Sequence, residues 1–304
     1  MQNEKKLGAF IVTFNRPSVL KESIRFLLQQ TKPPDIILIV DNGKAENTSP
    51  VLEEFPHDKV IYRNTGDNLG SAGGFAYGVK ALYDLGYEWI YCGDDDNPPK
   101  IPDTIERLLS ITQSAQNVGV VGATGTNWDW NKGEVRRLSD EVLKGILDVE
   151  FIGQDQIFII HRKVVEKVGL PNANLFFGYP DLEYSLRINQ AGFRLLVDGK
   201  LMLECRKRYG HLNRKLTHSV VPRRSYNSIW RNYYTTRTYI FMMQHTFHRP
   251  DLARREALKA LGRSLFAWIK GPKYGAEFSI LQARGVWDGY HGRLGRTVMP
   301  RPKY

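Results

Sequence analysis

YCGDDDN, residues 91–97, closes an apolar run that begins at Trp89 and ends on three consecutive aspartates, Asp94, Asp95 and Asp96. Residues 89–92 read as a buried strand, with the acids where the chain leaves it. Three adjacent carboxylates repel one another, so the arrangement is costly unless a cation neutralises it. Hard oxygen ligands at the carboxyl end of a strand suit Mg²⁺ or Mn²⁺, ions that bridge protein carboxylates to substrate phosphates. A solvated acidic turn is the plain alternative. The rest of the chain decides between them.

Strand and helix signals alternate through the first 125 residues. Residues 8–13, 36–40, 60–62 and 118–122 are further compact apolar strands. Residues 17–30 read as a helix with Pro17 in its first turn and Leu20, Ile24, Leu27 and Leu28 on one face. Residues 72–85 form a helix after a glycine-rich turn, and 101–113 form another. This alternation predicts an α/β fold, a mostly parallel sheet covered on both faces, with ligands beyond the carboxyl ends of its strands. Asp41 and Asp94–Asp96 fall on that edge. From about residue 126 the pattern changes to a polar aromatic loop at 125–132, a strand at 151–160, a helix at 180–191 ended by Gly192, and a strand at 193–197. Residues 206–225 are basic and irregular, and 226–248 and 252–269 read as helical.

The chain has 304 residues, 42% hydrophobic and 25% charged, which excludes a disordered chain and allows one large domain or two smaller ones. No stretch approaches the roughly 20 apolar residues that span a bilayer. The opening MQNEKKLGAFIVTF lacks a signal-cleavage pattern, and the two cysteines, Cys92 and Cys205, make no disulfide framework. A cytoplasmic protein is expected. The net charge of +11 is uneven, with 22 Lys and Arg against 27 Asp and Glu in residues 1–200, and 21 against 5 in residues 201–304. The basic third calls for an acidic partner: phospholipid, nucleic acid or a phosphate-bearing substrate.

VTFNRP (12–17), QQTKPPDIILIVDNG (29–43), NTGDNLGSAGGFAYG (64–78) and the aspartate triplet occur in an order and spacing that resemble family-2 inverting glycosyltransferases of the GT-A fold. The resemblance covers about residues 7–215. It implies a catalytic domain at 1–215, with a nucleotide-sugar half at 1–125 and an acceptor half at 126–215, and a basic helical region at 216–304. It implies that Thr13 and Asp41 hold the nucleobase, and that Asp94 and Asp96 bind the ribose and a Mn²⁺ or Mg²⁺ ion on the nucleotide diphosphate. Asn15, Asn68, Gly70, Gly73, Gly74 and Asp95 complete the expected donor contacts. The AGGF turn, the D-D-D form and LFFGYPDLEYSLR (175–187) are closest to galactofuranosyl- and rhamnosyltransferases. Pro180 stands where galactofuranosyl relatives carry another acid.

An inverting transfer needs one carboxylate to take the proton of the attacking hydroxyl. Asp181, in the first turn of its helix, is that candidate; Glu183 points to a different side. His211 matches a histidine that completes the metal site in relatives. Trp128, Trp130, Tyr179 and Glu183 are candidate acceptor contacts, the aromatics because sugar rings stack on them. The acceptor implied is a glycan or lipid-linked glycan. The basic third then suits an anionic membrane surface at the inner face of the cell membrane, with Arg223, Arg224, Arg231, Arg237, Arg254 and Arg255 supplying charge and Tyr226, Trp230, Tyr233 and Phe266 apolar contact.

Rival classes fit less well. A dinucleotide-dependent oxidoreductase would carry its glycine fingerprint in the first strand–helix turn, but residues 13–17 contain no glycine. A non-enzymatic nucleic-acid- or membrane-binding protein would explain the basic third alone, and no zinc spacing or RNA-binding aromatic motif is present. A metal-dependent nuclease would explain the carboxylates but not Asp41 with the glycine turn.

Overall fold

The computed structural model describes residues 6–153, 157–213, 222 and 224–300. Strand β1, Leu7–Thr13, is buried at all seven positions, so it must be covered on both sides. Its alternating side chains enter two cores. Ala9 and Ile11 join Leu20, Ile24 and Leu27 of α1 (Pro17–Leu28) and Ile105 and Leu108 of α4 (Thr104–Ser114). Phe10 and Val12 join Phe75, Val79 and Leu82 of α3 (Gly70–Asp84) and Tyr184 and Ile188 of α6 (Pro180–Gln190).

Two glycines set how closely α3 lies on β1. A Cβ on Gly74 would come 2.6 Å from Val12 Cγ1, and one on Gly78 would overlap the Phe10 ring. Gly78→Ala should therefore cost about 1–3 kcal/mol in a denaturant melt, the usual price of an overpacked core. Gly262 of α9 (Pro250–Ala267) has nothing within 4 Å of its Cβ position. Gly262→Ala should gain up to about 1 kcal/mol from helix propensity. Equal responses of the two variants would contradict the packing role.

Strand β1 is flanked in parallel by β2 (Ile36–Asp41) and β4 (Trp89–Asp94), and β3 (Val60–Asn64) lies parallel beyond β2. The chain runs from β1 outward on one side and returns on the other with β4. The β1–β4 boundary is thus a topological switch point, where open α/β sheets bind ligands. The complete order is β3-β2-β1-β4-β9-β5-β10-β8, adding β5 (Val118–Gly122), β8 (Ile146–Val149), β9 (Phe158–His161) and β10 (Arg194–Asp198). Strand β9 is antiparallel to β4 and β5, and β8 to β10. The sheet is mainly parallel, as expected. A separate hairpin joins β6 (Asn127–Asp129) to β7 (Glu134–Arg136).

Some elements differ from the sequence reading. Among the described residues of the strand expected at 151–160, Phe158 onward forms β9, and Phe151 makes an isolated bridge to Thr126. Helix α2 (Ala45–Leu52) escapes periodicity because it is polar, contains Pro50 and buries only Thr48 and Leu52. Helix α5 (Arg162–Val168) has seven residues, too short for a periodic signal. Helix α7 (Gly199–Arg208) is capped by Asp198, whose carboxylate accepts from the Lys200 and Leu201 amides, and runs into the segment expected to be irregular.

The chain divides into two compact units. One contains the described residues of Met1–Leu69, Gly73–Asn172 and Asp181–Arg214, the other those of Gly70–Ala72, Ala173–Pro180 and Lys215–Tyr304. The second unit is helical, built on α8 (Trp230–Phe241), α9 and α10 (Pro272–Tyr290), the last of which lay outside the sequence reading. Gly285 and Gly289 let α10 approach the α8 backbone: a Cβ on either would lie 2.8 Å from a carbonyl oxygen, of Tyr233 and Arg237 respectively. Tyr233 is buried and donates to Asp288 Oδ2 at 2.6 Å. Arg237 is also buried, donating to the Leu175 and Gly295 carbonyls at 2.7 Å each. Trp230 is half-buried against Phe177. Tyr233 and Arg237 are therefore core groups, which corrects their assignment to a membrane-facing surface. Arg223 lies outside the described residues. Among the described residues, no helix is long and apolar enough to cross a membrane.

Candidate active site

Parallel register puts the expected donor residues side by side. Thr13 pairs with Asp41 across β1–β2, and Val12 with Asp94 across β1–β4. Asp41, Thr13 and the triplet thus occupy three adjacent strand ends at the carboxyl edge. The triplet is not a uniformly solvated turn. Asp95 turns inward, fully buried, and accepts from Thr13 Oγ1 at 2.7 Å. Its backbone carbonyl accepts from Ser23 Oγ of α1. Asp96 remains 47% exposed on its side chain. The loop after the triplet is stapled by Gln30, whose amide donates to the Pro99 and Ile101 carbonyls at 2.8 and 3.1 Å and accepts from the Ile105 amide at 3.2 Å. The Thr31 amide donates to the Pro102 carbonyl at 2.9 Å. This gives QQTKPP a physical role that the sequence reading lacked: it positions the acidic loop.

Arg16 is the functional residue that sequence reasoning missed. Its guanidinium pairs with Asp95 and donates to Asp96 Oδ2 at 2.7 Å. Burial pushes the Asp95 carboxyl up from the ordinary aspartate value, while the bond from Thr13 and the charge of Arg16 pull it back. Removing Arg16 should lift it further. A carboxyl whose folded pKa exceeds its unfolded value gives stability that is present below the unfolded pKa and lost as pH rises through the folded one. Arg16→Met should therefore cost about 1–3 kcal/mol near neutral pH, less than breaking a fully buried pair because Arg16 is partly exposed. The deficit should shrink as pH falls towards the carboxylate range. Urea melts at pH 7 and pH 4.5 read this, and a pH-independent deficit would contradict it.

Asp41 is fully buried and braces its loop. Its oxygens accept from the Gly43 amide at 2.8 Å and from Tyr62 Oη at 2.9 Å. Burial and Asp41 together push the Tyr62 hydroxyl up to about 12, so it stays a protonated donor. Asn15 sits at φ 52° and accepts from the Lys44 amide at 3.0 Å, tying the first loop to the second. Phe14 stands exposed beside it. Asn68 is half-buried, its amide donating to Asp67 Oδ1 at 2.7 Å. The Cβ directions of Gly73 and Gly74 point at Leu69 and Val12, so packing of α3 accounts for both. Gly70, in the helical unit, has φ 72° and abuts the Phe176 carbonyl, a place where only glycine fits.

Asp181 is half-buried and accepts from the Leu182 amide at 2.9 Å. Glu183 is buried and held by Arg187 at 2.7 and 3.1 Å, while Arg187 also donates to the Val168 and Leu170 carbonyls. That structural ion pair corrects the assignment of Glu183 to acceptor contact. Trp128 is buried too, its ring edge-on to half-buried Trp130 at 6.1 Å, which leaves Trp130 as the candidate platform. Tyr179, exposed with φ 59° in the helical unit, lies 6.0 Å from the Tyr239 ring.

His211 is exposed at the rim of a cavity of about 410 Å³ that Asn97, Lys100 and Tyr209 also line. Among the described residues no three His, Cys, Asp or Glu side chains converge as a ready-made metal cage, so Asp94, Asp96 and His211 are not assembled as a three-ligand set. The donor chemistry nevertheless fits a divalent ion. The outward carboxylate of Asp96 already holds a cation, the Arg16 guanidinium, and Mg²⁺-type ions need only one or two carboxylates beside substrate phosphates.

A mainly parallel α/β sheet with carboxylates massed at its switch point has the architecture of GT-A transferases. Residues 9–169, more than half of the chain, match the family described as Glycosyl transferase family 2; the chain belongs to that family and is a glycosyltransferase. The galactofuranosyltransferase GlfT1 of Mycolicibacterium smegmatis is 26% identical over 211 residues, covering 63% of this chain and 68% of that protein. GlfT1 of Mycobacterium tuberculosis strain H37Rv is 26% identical over 217 residues, covering 65% and 69%. Among solved structures, the mannosyltransferase PcManGT from Pyrobaculum calidifontis, in complex with GDP-Man and Mn²⁺, superposes with a TM-score of 0.55 at 13% identity. That match covers 95% of this chain and 88% of the other, and speaks for the fold.

Proposed function

We propose that this glycosyltransferase is metal-dependent and inverting, and moves galactofuranose from UDP-galactofuranose to a hydroxyl of a glycan or lipid-linked glycan in cell-surface polysaccharide assembly. The observation that carries the reading is the alignment of Asp41, Thr13 and the aspartate triplet on three adjacent strand ends. The curated galactofuranosyl relatives favour the sugar. Transfer of rhamnose from dTDP-rhamnose is the second reading, because the AGGF turn, the D-D-D form and LFFGYPDLEYSLR resemble rhamnosyltransferases as well and Pro180 departs from the galactofuranosyl pattern.

Thr13, Asn15 and Asp41 shape the nucleobase pocket, with the exposed Phe14 face available for stacking. Asn68, Gly70, Gly73 and Gly74 sit just before and in the first turns of α3, where backbone amides favour anions. Asp94 takes the ribose side, while Asp95, turned inward, holds Thr13 and Arg16 in place behind it. A divalent ion held by Asp94 and Asp96 would neutralise charge on the departing nucleoside diphosphate. Asp181 accepts the proton of the attacking acceptor hydroxyl as the bond to the anomeric carbon forms. Trp130 and Tyr179 are the acceptor contacts retained. The basic helical unit would seat the enzyme peripherally at the inner face of the cell membrane, with no role for nucleic acid.

The test is a screen of purified protein with Mn²⁺ against several nucleotide sugars and a soluble galactan-type acceptor, scoring nucleoside diphosphate release and product mass. Turnover with UDP-galactofuranose well above the others is expected. Preferential turnover of dTDP-rhamnose would transfer the assignment to the second reading, and no transfer from any nucleotide sugar would overturn both.

A further inference from the structure

Helix α9 is turned inside out. Its buried side is made of Leu252, Ala253, Ala260, Ser264 and Ala267, mostly small residues. Three of its leucines face outward, Leu258, Leu261 and Leu265, and with Trp268 and Ile269 just past its end they are between 51% and 71% exposed. The spacing of 258, 261, 265 and 268 by threes and fours puts them on one stripe. A helix covered by solvent would place its leucines on the other side. Such a stripe marks an interaction surface, not scattered exposure.

The charge around the stripe chooses the partner. Residues 249–273 carry seven Lys and Arg against two acids, Asp251 and Glu256. Both acids are neutralised, by Arg249 at 2.7 Å and by Arg263 respectively. Arg254, Arg255, Lys259, Lys270 and Lys273 are exposed. An apolar stripe flanked by cations is complementary to an anionic lipid surface, where leucines enter the acyl boundary and the cations stay among headgroups. A second copy of the chain would bring like charges together.

We infer that the outward face of α9, with Trp268 and Ile269 at its end, is the element by which this protein inserts into the surface of an anionic bilayer. This rests on the peripheral-membrane part of the proposed function and supplies its anchor. Of the aromatics expected from sequence to play that part, Phe266 stands exposed on α9 and Tyr233 is buried.

The experiment is vesicle co-sedimentation of the full chain and of the Leu258→Glu/Leu265→Glu double variant, with phosphatidylcholine alone and with phosphatidylcholine plus phosphatidylglycerol. Both positions are exposed, so the variant should keep the wild-type melting temperature. Wild type should bind anionic vesicles at least about tenfold more tightly than neutral ones, with part of the binding surviving high salt, and the variant should lose about tenfold or more. Equal binding by both proteins would leave the membrane reading standing and remove α9 from it. Negligible binding by wild type, with concentration-dependent self-association that the variant abolishes, would make a second copy the occupant and overturn the inference. Sugar transfer to a water-soluble acceptor is measured alongside without lipid. It should be unchanged in the variant, so that failure of the enzymatic reading is seen separately.

Discussion

Asp181→Asn is expected to lower the rate of sugar transfer by about 10²–10⁴-fold, the range that general-base catalysis supplies, while nucleotide-sugar affinity stays within a few-fold of wild type. The substitution keeps volume and removes a proton acceptor, so the loss belongs in kcat, not in donor binding. The companion variant Glu183→Gln separates the two acids. Glu183 is buried beneath an Arg187 pair, so its loss should appear as reduced stability, with Arg187 left partly unpaired. Steady-state kinetics and calorimetric titration of the donor read the first effect, and a thermal melt reads the second. A fully active Asp181→Asn enzyme, or a folded Glu183→Gln enzyme that binds donor but has no turnover, would reverse the assignment.

Removal of divalent cation is the second large effect. Excess chelator should abolish transfer, and Mn²⁺ or Mg²⁺ should restore it. Asp96→Asn should weaken Mn²⁺ binding in the presence of nucleoside diphosphate by at least about tenfold, read by the free-Mn²⁺ electron paramagnetic resonance signal, because it removes one of at most two protein carboxylates. Asp96 is surface-exposed and, among the described residues, pairs with Arg16 and Asn97, so the fold should tolerate the change. Full turnover in chelator, or unchanged Mn²⁺ binding by the variant, would contradict a metal held by the triplet.

The first 125 residues were readable because their strands are continuous apolar runs and α1 and α4 have clear periodicity. Strands β1, β2 and β4 each end in a polar residue on the binding edge, so Thr13, Asp41 and Asp94 could be placed before their register was known. What stayed hidden are interactions between residues distant in sequence. Arg16 pairs with acids some eighty residues away, and Gln30 staples a loop almost seventy residues on. Neither carries a local pattern. Glu183 and Trp128 were misplaced for the opposite reason: charge and aromaticity beside a motif suggest exposure, but Glu183 is buried in an ion pair with Arg187 and Trp128 is buried in β6. In the helical unit, aromatics interleaved with arginines looked like a surface, although Tyr233 and Arg237 form its core.

The anomeric configuration of the product tests the central claim most directly. One carboxylate base and one displacement at the anomeric carbon invert that centre, so proton NMR of the product made from the preferred nucleotide sugar should show a single anomer opposite to that of the donor. A product that retains the donor's anomeric configuration would contradict direct displacement with Asp181 as base.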